Sequence, residues 1–277
     1  APIMVGLAVW PNAARISPST HADRTQLKDY LRLLTKPDLV RLYLAHIALT
    51  LGPGWMTALY LFFSRDYKGF DASQASILLL VYTVAGMVGA PLTAHLATRI
   101  GKHRTLMVAT TAYSVGLLTV LFTPYGSILG SVPTMLWCGF MALGFELSIR
   151  SMLADVADEV RLEQGRERLS LIYALNTLST KIAAALAIGI TFPLLEQVGY
   201  VAKEGAKNTP EAISALGLIF VSGPIVFVLI GGACVLGWKM TAERHSEVTA
   251  ELDRLDALDG LGEPDLESPP GLLTSSR

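Results

Sequence analysis

The chain has 277 residues, 52% hydrophobic and only 16% charged, with a formal net charge of −1 and a mean hydropathy of +0.47. Soluble domains carry about 25% charged residues. Here the charges gather in short strips between long apolar runs, a pattern that excludes an ordinary soluble fold and a basic nucleic-acid surface. There is no phosphate-cradling loop, no dinucleotide fingerprint and no His or Cys pair at metal spacing, so neither ATP-driven transport nor an enzyme is expected. Cys138 and Cys234 sit inside apolar runs and read as small hydrophobes.

Residues 1–10 are apolar but too few to span, since a crossing takes about 20 residues. They lack a basic leader and a cleavage pattern, and they read as the remnant of a preceding transmembrane helix, which makes the chain a fragment. Residues 11–38 form a polar, basic linker with Arg15, Arg24, Lys28, Arg32 and Lys36. Its 25–35 stretch has leucines and Tyr30 at the spacing of a surface amphipathic helix. Six apolar segments follow, at 39–63, 76–97, 105–123, 128–153, 170–195 and 212–238, each long enough to cross about 30 Å at about 1.5 Å per residue. Residues 239–277 form a polar tail, helical to about Leu258 and then disordered through a Gly-, Pro-, Ser- and acid-rich end.

Basic residues in the loops orient the spans. One side carries the linker with Arg41, then Arg99, Lys102, Arg104, Arg161, Arg166, Arg168, Lys239 and Arg244. The other carries only Arg65, Lys68, Lys203 and Lys207. The linker and the tail are therefore expected in the cytoplasm, with the chain integral to a membrane, that of a bacterial cell being the expectation.

Ionisable groups inside a span are costly and are functional candidates by default. Lys181 lies 11 residues into the fifth segment, about 16 Å deep at about 1.5 Å per residue. Ser170, Tyr173, Thr177 and Lys181 share one helical face, flanked by Asn176 and Thr180. Such a stripe lines a cavity or is satisfied by helix-end carbonyls. Glu146 and Arg150 stand at the i, i+4 spacing of an ion pair, either self-neutralised or serving as a gate or a partner for Lys181. His46 is either a packing residue or a proton carrier. It precedes Gly52-Pro53-Gly54, a triplet expected to kink or unwind the first segment near mid-membrane. Asp155 and Asp158 lie one turn apart at the cytoplasmic mouth. There they suit reversible pairing with loop arginines such as Arg166 and Arg168, exposed pairs being worth about 0–1 kcal/mol.

One register stands out: Ala154-Asp155-Val156-Ala157-Asp158, Gly165 eleven residues after that alanine, then Tyr173, Thr177 and Lys181. It resembles the glycoside–pentoside–hexuronide:cation symporters of the major facilitator superfamily, the melibiose-permease type, in their C-terminal half. More loosely, Leu27-Lys28-Asp29-Tyr30-Leu31 resembles that family's central loop. The strip 97–104 resembles the superfamily loop motif, with Thr98 where an Asp is usual. The chain departs from the pattern at Glu167, where an arginine is usual, and at Glu146, where melibiose permease has an aromatic residue.

The resemblance implies an all-α membrane fold, a major-facilitator-type six-helix half bundle, paired with an N-terminal half that carries most cation-binding acids. It implies alternating-access symport of a sugar or sugar-like solute with Na⁺ or H⁺ and no other cofactor. Lys181 would couple cation to solute, with Asn176 and Thr177 near the sugar. Two alternatives stay open: a proton-coupled exporter of a non-sugar solute in the same superfamily, and a non-transporting protein on a transporter-like scaffold.

Overall fold

The structure, a computed structural model, describes residues 35–164, 169–203 and 205–262. The expected remnant at 1–10, nearly all of the linker, Arg166 and Arg168 lie outside these residues. The described chain is helical: α1 (Pro37–Phe62), α2 (Ala72–Ile100), α3 (Lys102–Thr119), α4 (Ile128–Gln164), α5 (Leu169–Gln197), α6 (Pro210–Cys234) and α7 (Ala242–Gly262). Helices α1 to α6 are each long and apolar enough to cross a membrane. They run alternately up and down, so one end of the bundle gathers Lys102 and Arg161 and the other Asp66, Lys68 and Tyr200. These are called here the basic end and the opposite end.

Local chemistry sets the helix starts. Pro37 at the first turn of α1 and Pro210 at that of α6 occupy positions where a missing N–H costs nothing. Asp71 and Gln74 form a reciprocal capping box at the start of α2. Thr209 caps α6 through the Ala212 N–H. Gly101 turns the chain from α2 into α3 at φ 89°, a conformation in which a side chain would be strained.

The elements differ from expectation in three places. Helix α4 does not stop near residue 153. It continues to Gln164, for 37 residues, so Asp155 and Asp158 sit on a helix and not in a loop. The run Ala154–Leu162 keeps its apolar period, with Val156, Ala157 and Val160 buried, and that packing carries the helix onward. Helix α1 passes through Gly52-Pro53-Gly54 without interruption, so the expected unwinding does not occur. The glycines serve close packing instead: a Cβ at Gly52 would lie 2.8 Å from the Val228 side chain, and one at Gly54 3.2 Å from Ala187 Cβ. Finally, α7 runs four residues beyond Leu258, to Gly262.

Helix α1 packs against α5, α6 and α4, and α3 against α4 and α6. The most extensive helix–helix contact joins α2 to α4. Its seam is made of small residues: a Cβ at Gly89 would land on the Phe140 carbonyl and one at Gly139 on the Tyr82 carbonyl. Apolar attraction between helices is lost in lipid, so close backbone approach is a main source of helix association there. Helix α5, by contrast, rests chiefly on α1 and barely touches α4.

Candidate functional site

Two polar regions lie on either side of α4. The first is a cavity of about 300 Å³ between α1 and α4, lined by His46, Thr50, Pro53, Gly54, Phe145 and Glu146 among others. Pro53 has no N–H to give to the carbonyl one turn before it, and its own carbonyl accepts from the Thr57 hydroxyl at 2.9 Å. Glu146 reaches across from α4. Its Oε1 accepts from Arg150 Nε at 2.6 Å, and its Oε2 lies 3.5 Å from His46 Nε2. The histidine side chain is 2% exposed and the glutamate 38%. His46 Nδ1 is buried and has no hydrogen-bond partner among the described residues. A buried polar atom left so forfeits about 1–3 kcal/mol of solvation.

The second region is at the basic end. Asp155, with a side chain 7% exposed, accepts from Lys102 Nζ at 2.6 and 2.7 Å, and the same ammonium lies 3.5 Å from the Ser151 carbonyl. His245 Nε2, on α7, stands 3.3 Å from Asp155 and 3.2 Å from Asp158. Arg161 donates to Asp256 at 2.7 Å, Arg244 approaches Glu159, and Lys36 pairs with Glu163. A cavity of about 780 Å³ opens here between α2, α4 and the start of α7. Among the described residues the partners of Asp155 and Asp158 are thus Lys102 and His245. The expected arginine partners fall outside them.

Along α5, the structure places Tyr173 half-buried and Thr177 and Lys181 on the exposed face. The Thr177 hydroxyl donates to the Tyr173 carbonyl at 3.0 Å. Asn176 turns the other way, into the bundle, where its Oδ1 is buried without a hydrogen-bond partner among the described residues. Lys181 makes no ion pair with Glu146 or any other acid among the described residues. The structure therefore separates Lys181 from Glu146 and joins Glu146 to His46. Sequence reasoning flagged both members of that last pair, but nothing in the chain shows that residues 100 positions apart meet. His245 carried no signal at all. It lies in a polar tail, and its role is visible only once α7 docks through buried Val248 and Leu252.

The opposite end is closed by a smaller cluster. Arg65 donates to Asp66 at 2.6 Å, and the Tyr200 hydroxyl donates to the same carboxylate. Burial, and then that bond, pushes the Tyr200 phenol above its ordinary range. Lys68, in the turn after α1, donates to the Thr123 carbonyl at 2.7 Å. Burial pushes its ammonium below the usual lysine range.

Six helices long and apolar enough to cross a membrane, alternating in direction and bearing ionisable groups within their spans, define a polytopic helical membrane protein. A scan against protein families matches the family described as MFS/sugar transport protein over residues 12–241, and the chain belongs to that family and so to the major facilitator superfamily. No curated protein matches the chain.

Proposed function

We propose that the protein is a secondary active transporter that moves a sugar or sugar-like solute together with a cation, by alternating access. The observation that carries this reading is the α5 stripe. A lysine about 16 Å into a span, at about 1.5 Å per residue, is exposed on the bundle surface with Tyr173 and Thr177 beside it. In hydrocarbon that position is costly. Against a second helical half it becomes the wall of a polar, midplane cavity, which is where solute and coupling ion bind in transporters built from repeated halves. Family membership supports the solute class.

In this reading the basic end faces the cytoplasm, as the loop charges favour. Asp155, Asp158, Lys102 and His245 form contacts there that break when the cavity opens inward. The melibiose-permease type remains the proposed subgroup, on the register from Asp155 to Lys181.

The test is uptake by the full-length protein in proteoliposomes, with labelled mono- and disaccharides under a Na⁺ or a pH gradient. Lys181→Ala and Lys181→Leu are expected to abolish accumulation while leaving the yield of folded protein unchanged. Normal gradient-driven accumulation in those variants removes Lys181 from the site, and no flux of any sugar under any gradient removes the proposed function.

A further inference from the structure

We propose that residues 24–36, the stretch of the linker leading into α1, dock as a helix along one flank of α7, and that this contact holds the tail against the bundle. The inference stands apart from the choice of solute.

The flank is defined by described residues. Helix α7 seats Val248 and Leu252 against the bundle. Arg244, Glu247, Glu251, Leu255 and Leu258 recur at steps of three and four residues, so they share the adjoining side. The leucines there are open, Leu255 41% and Leu258 56% exposed. Exposed leucines on α1 to α6 have lipid to face, but these two stand on a polar helix beyond the spans. The acids are lightly held. Glu247 has Arg244 at 3.2 Å and Glu251 has Arg254 at 3.7 Å, with all four side chains well exposed. Such pairs are weak and exchange readily. Over residues 242–258 five acids stand against two arginines.

The other half of the match is in the linker. Arg24, Lys28, Arg32 and Lys36 stand at intervals of four, which places them in one stripe on a helix. Leu27, Tyr30, Leu31 and Leu34 fall beside them on an apolar strip. The segment thus pairs a basic edge with an apolar edge, and the flank of α7 pairs an acidic edge with an apolar one. The lengths agree as well: about 18 Å from Arg24 to Lys36 and about 21 Å from Arg244 to Leu258, at about 1.5 Å per residue.

The chain is already steered there. Lys36, the last member of the stripe, pairs with Glu163 at the end of α4. Glu159, one turn earlier, interacts with Lys36 and Asp38 from the start of α1 and with Arg244 of α7, the last at 3.9 Å. The linker therefore meets α1 where the end of α4 and the flank of α7 come together. Docking from that point is intramolecular, so individually weak contacts suffice. In this position the segment clamps α7, and with it His245 beside Asp155 and Asp158.

The test is the rate at which a neutral maleimide labels a cysteine placed on α7 of the full-length protein, its native cysteines replaced by alanine. Leu258→Cys, on the flank, should label several-fold more slowly than Ser246→Cys, which is exposed on the far side of the helix. Reversing the stripe, with Arg24→Glu, Lys28→Glu and Arg32→Glu together, should bring Leu258→Cys up to the rate of Ser246→Cys and leave the latter unchanged. Adding Glu247→Lys and Glu251→Lys to that chain should restore the slow rate. Equal rates at the two cysteines in the chain with its native charges overturn the proposal. So does protection of Leu258→Cys that survives the stripe reversal, or a fast rate that the second reversal fails to slow. Protection that follows the anionic-lipid content of the vesicles, and ignores the charges at Glu247 and Glu251, assigns the segment to the membrane surface and overturns the proposal too. None of these readings needs solute flux, so failure here leaves the transporter reading untouched, and failure of that reading leaves this one standing.

Discussion

Helix α4 has two working sides that follow opposite rules. Toward α2 it presents Gly139 and Gly144, and the backbones close until a single added carbon has nowhere to go. Toward α1 it presents Ala142, Phe145, Glu146 and Ile149, and the helices part around a cavity of about 300 Å³ with His46 and Glu146 in its wall. The two sets interleave at helical spacing along ten or so residues. One face therefore fixes the position of α4 by shape, and the other leaves space around charged side chains. The seam on one face keeps Glu146 placed against His46 and Arg150 on the other.

Breaking the seam should have the largest effect. Gly139→Leu and Gly89→Leu drive a side chain onto the opposing main chain, and overpacking of this kind costs about 3 kcal/mol at the upper end of its usual range. A sharp loss of monodisperse protein in detergent size-exclusion profiles is expected for both, whereas Gly126→Ala, in open space apart from its φ of 71°, should be far milder. Wild-type profiles for both leucine variants would mean that the α2–α4 contact is not what holds the bundle together.

Removing one charge at the basic end comes next. Asp155→Asn leaves Lys102 without its carboxylate. A buried pair broken this way costs about 3–5 kcal/mol, discounted to about 1–2 kcal/mol because Lys102 is about one-third exposed. Thermal unfolding in detergent should show a clear drop. Asp158→Asn should shift it much less, about 0–1 kcal/mol, as for other exposed pairs, since that side chain is 43% exposed. Equal shifts for the two aspartates would sink the distinction drawn between them.

The smallest expected effect is at the opposite end. Tyr200 is harder to ionise in the fold than in the open chain. The stability that this confers is whole below the ordinary tyrosine pKa of about 10 and declines as pH rises beyond it. Tyr200→Phe should flatten the alkaline limb of a pH–stability curve, on top of a pH-independent loss of about 1 kcal/mol for the hydrogen bond to Asp66. A Tyr200→Phe curve that parallels the wild type above that pH would remove the phenol from the account.

What the sequence made legible was mostly periodic or compositional. Six apolar runs show through because bilayer thickness fixes their length, and the fold class follows with the family. The stripe from Tyr173 to Lys181 shows because helical spacing keeps it on one face. The end of α4 was misjudged because charged residues suggested a loop, while buried Val156 and Val160 continued the helix. Gly52-Pro53-Gly54 looked like a break because composition cannot show that Val228 and Ala187 lie against it. The His46–Glu146 meeting, and the reach of His245 to both aspartates, are long-range contacts with no local signature.

The docking of α7 has a practical consequence. The segment 235–241 is all that connects α6's end to a helix whose histidine touches both Asp155 and Asp158. Any movement that parts those aspartates from the tail must tug on this tether. Cutting susceptibility at Lys239 would therefore act as a gauge of the bundle's state, rising when the contacts with α4 are released and falling when they re-form, read with trypsin on a gel and with no substrate in hand.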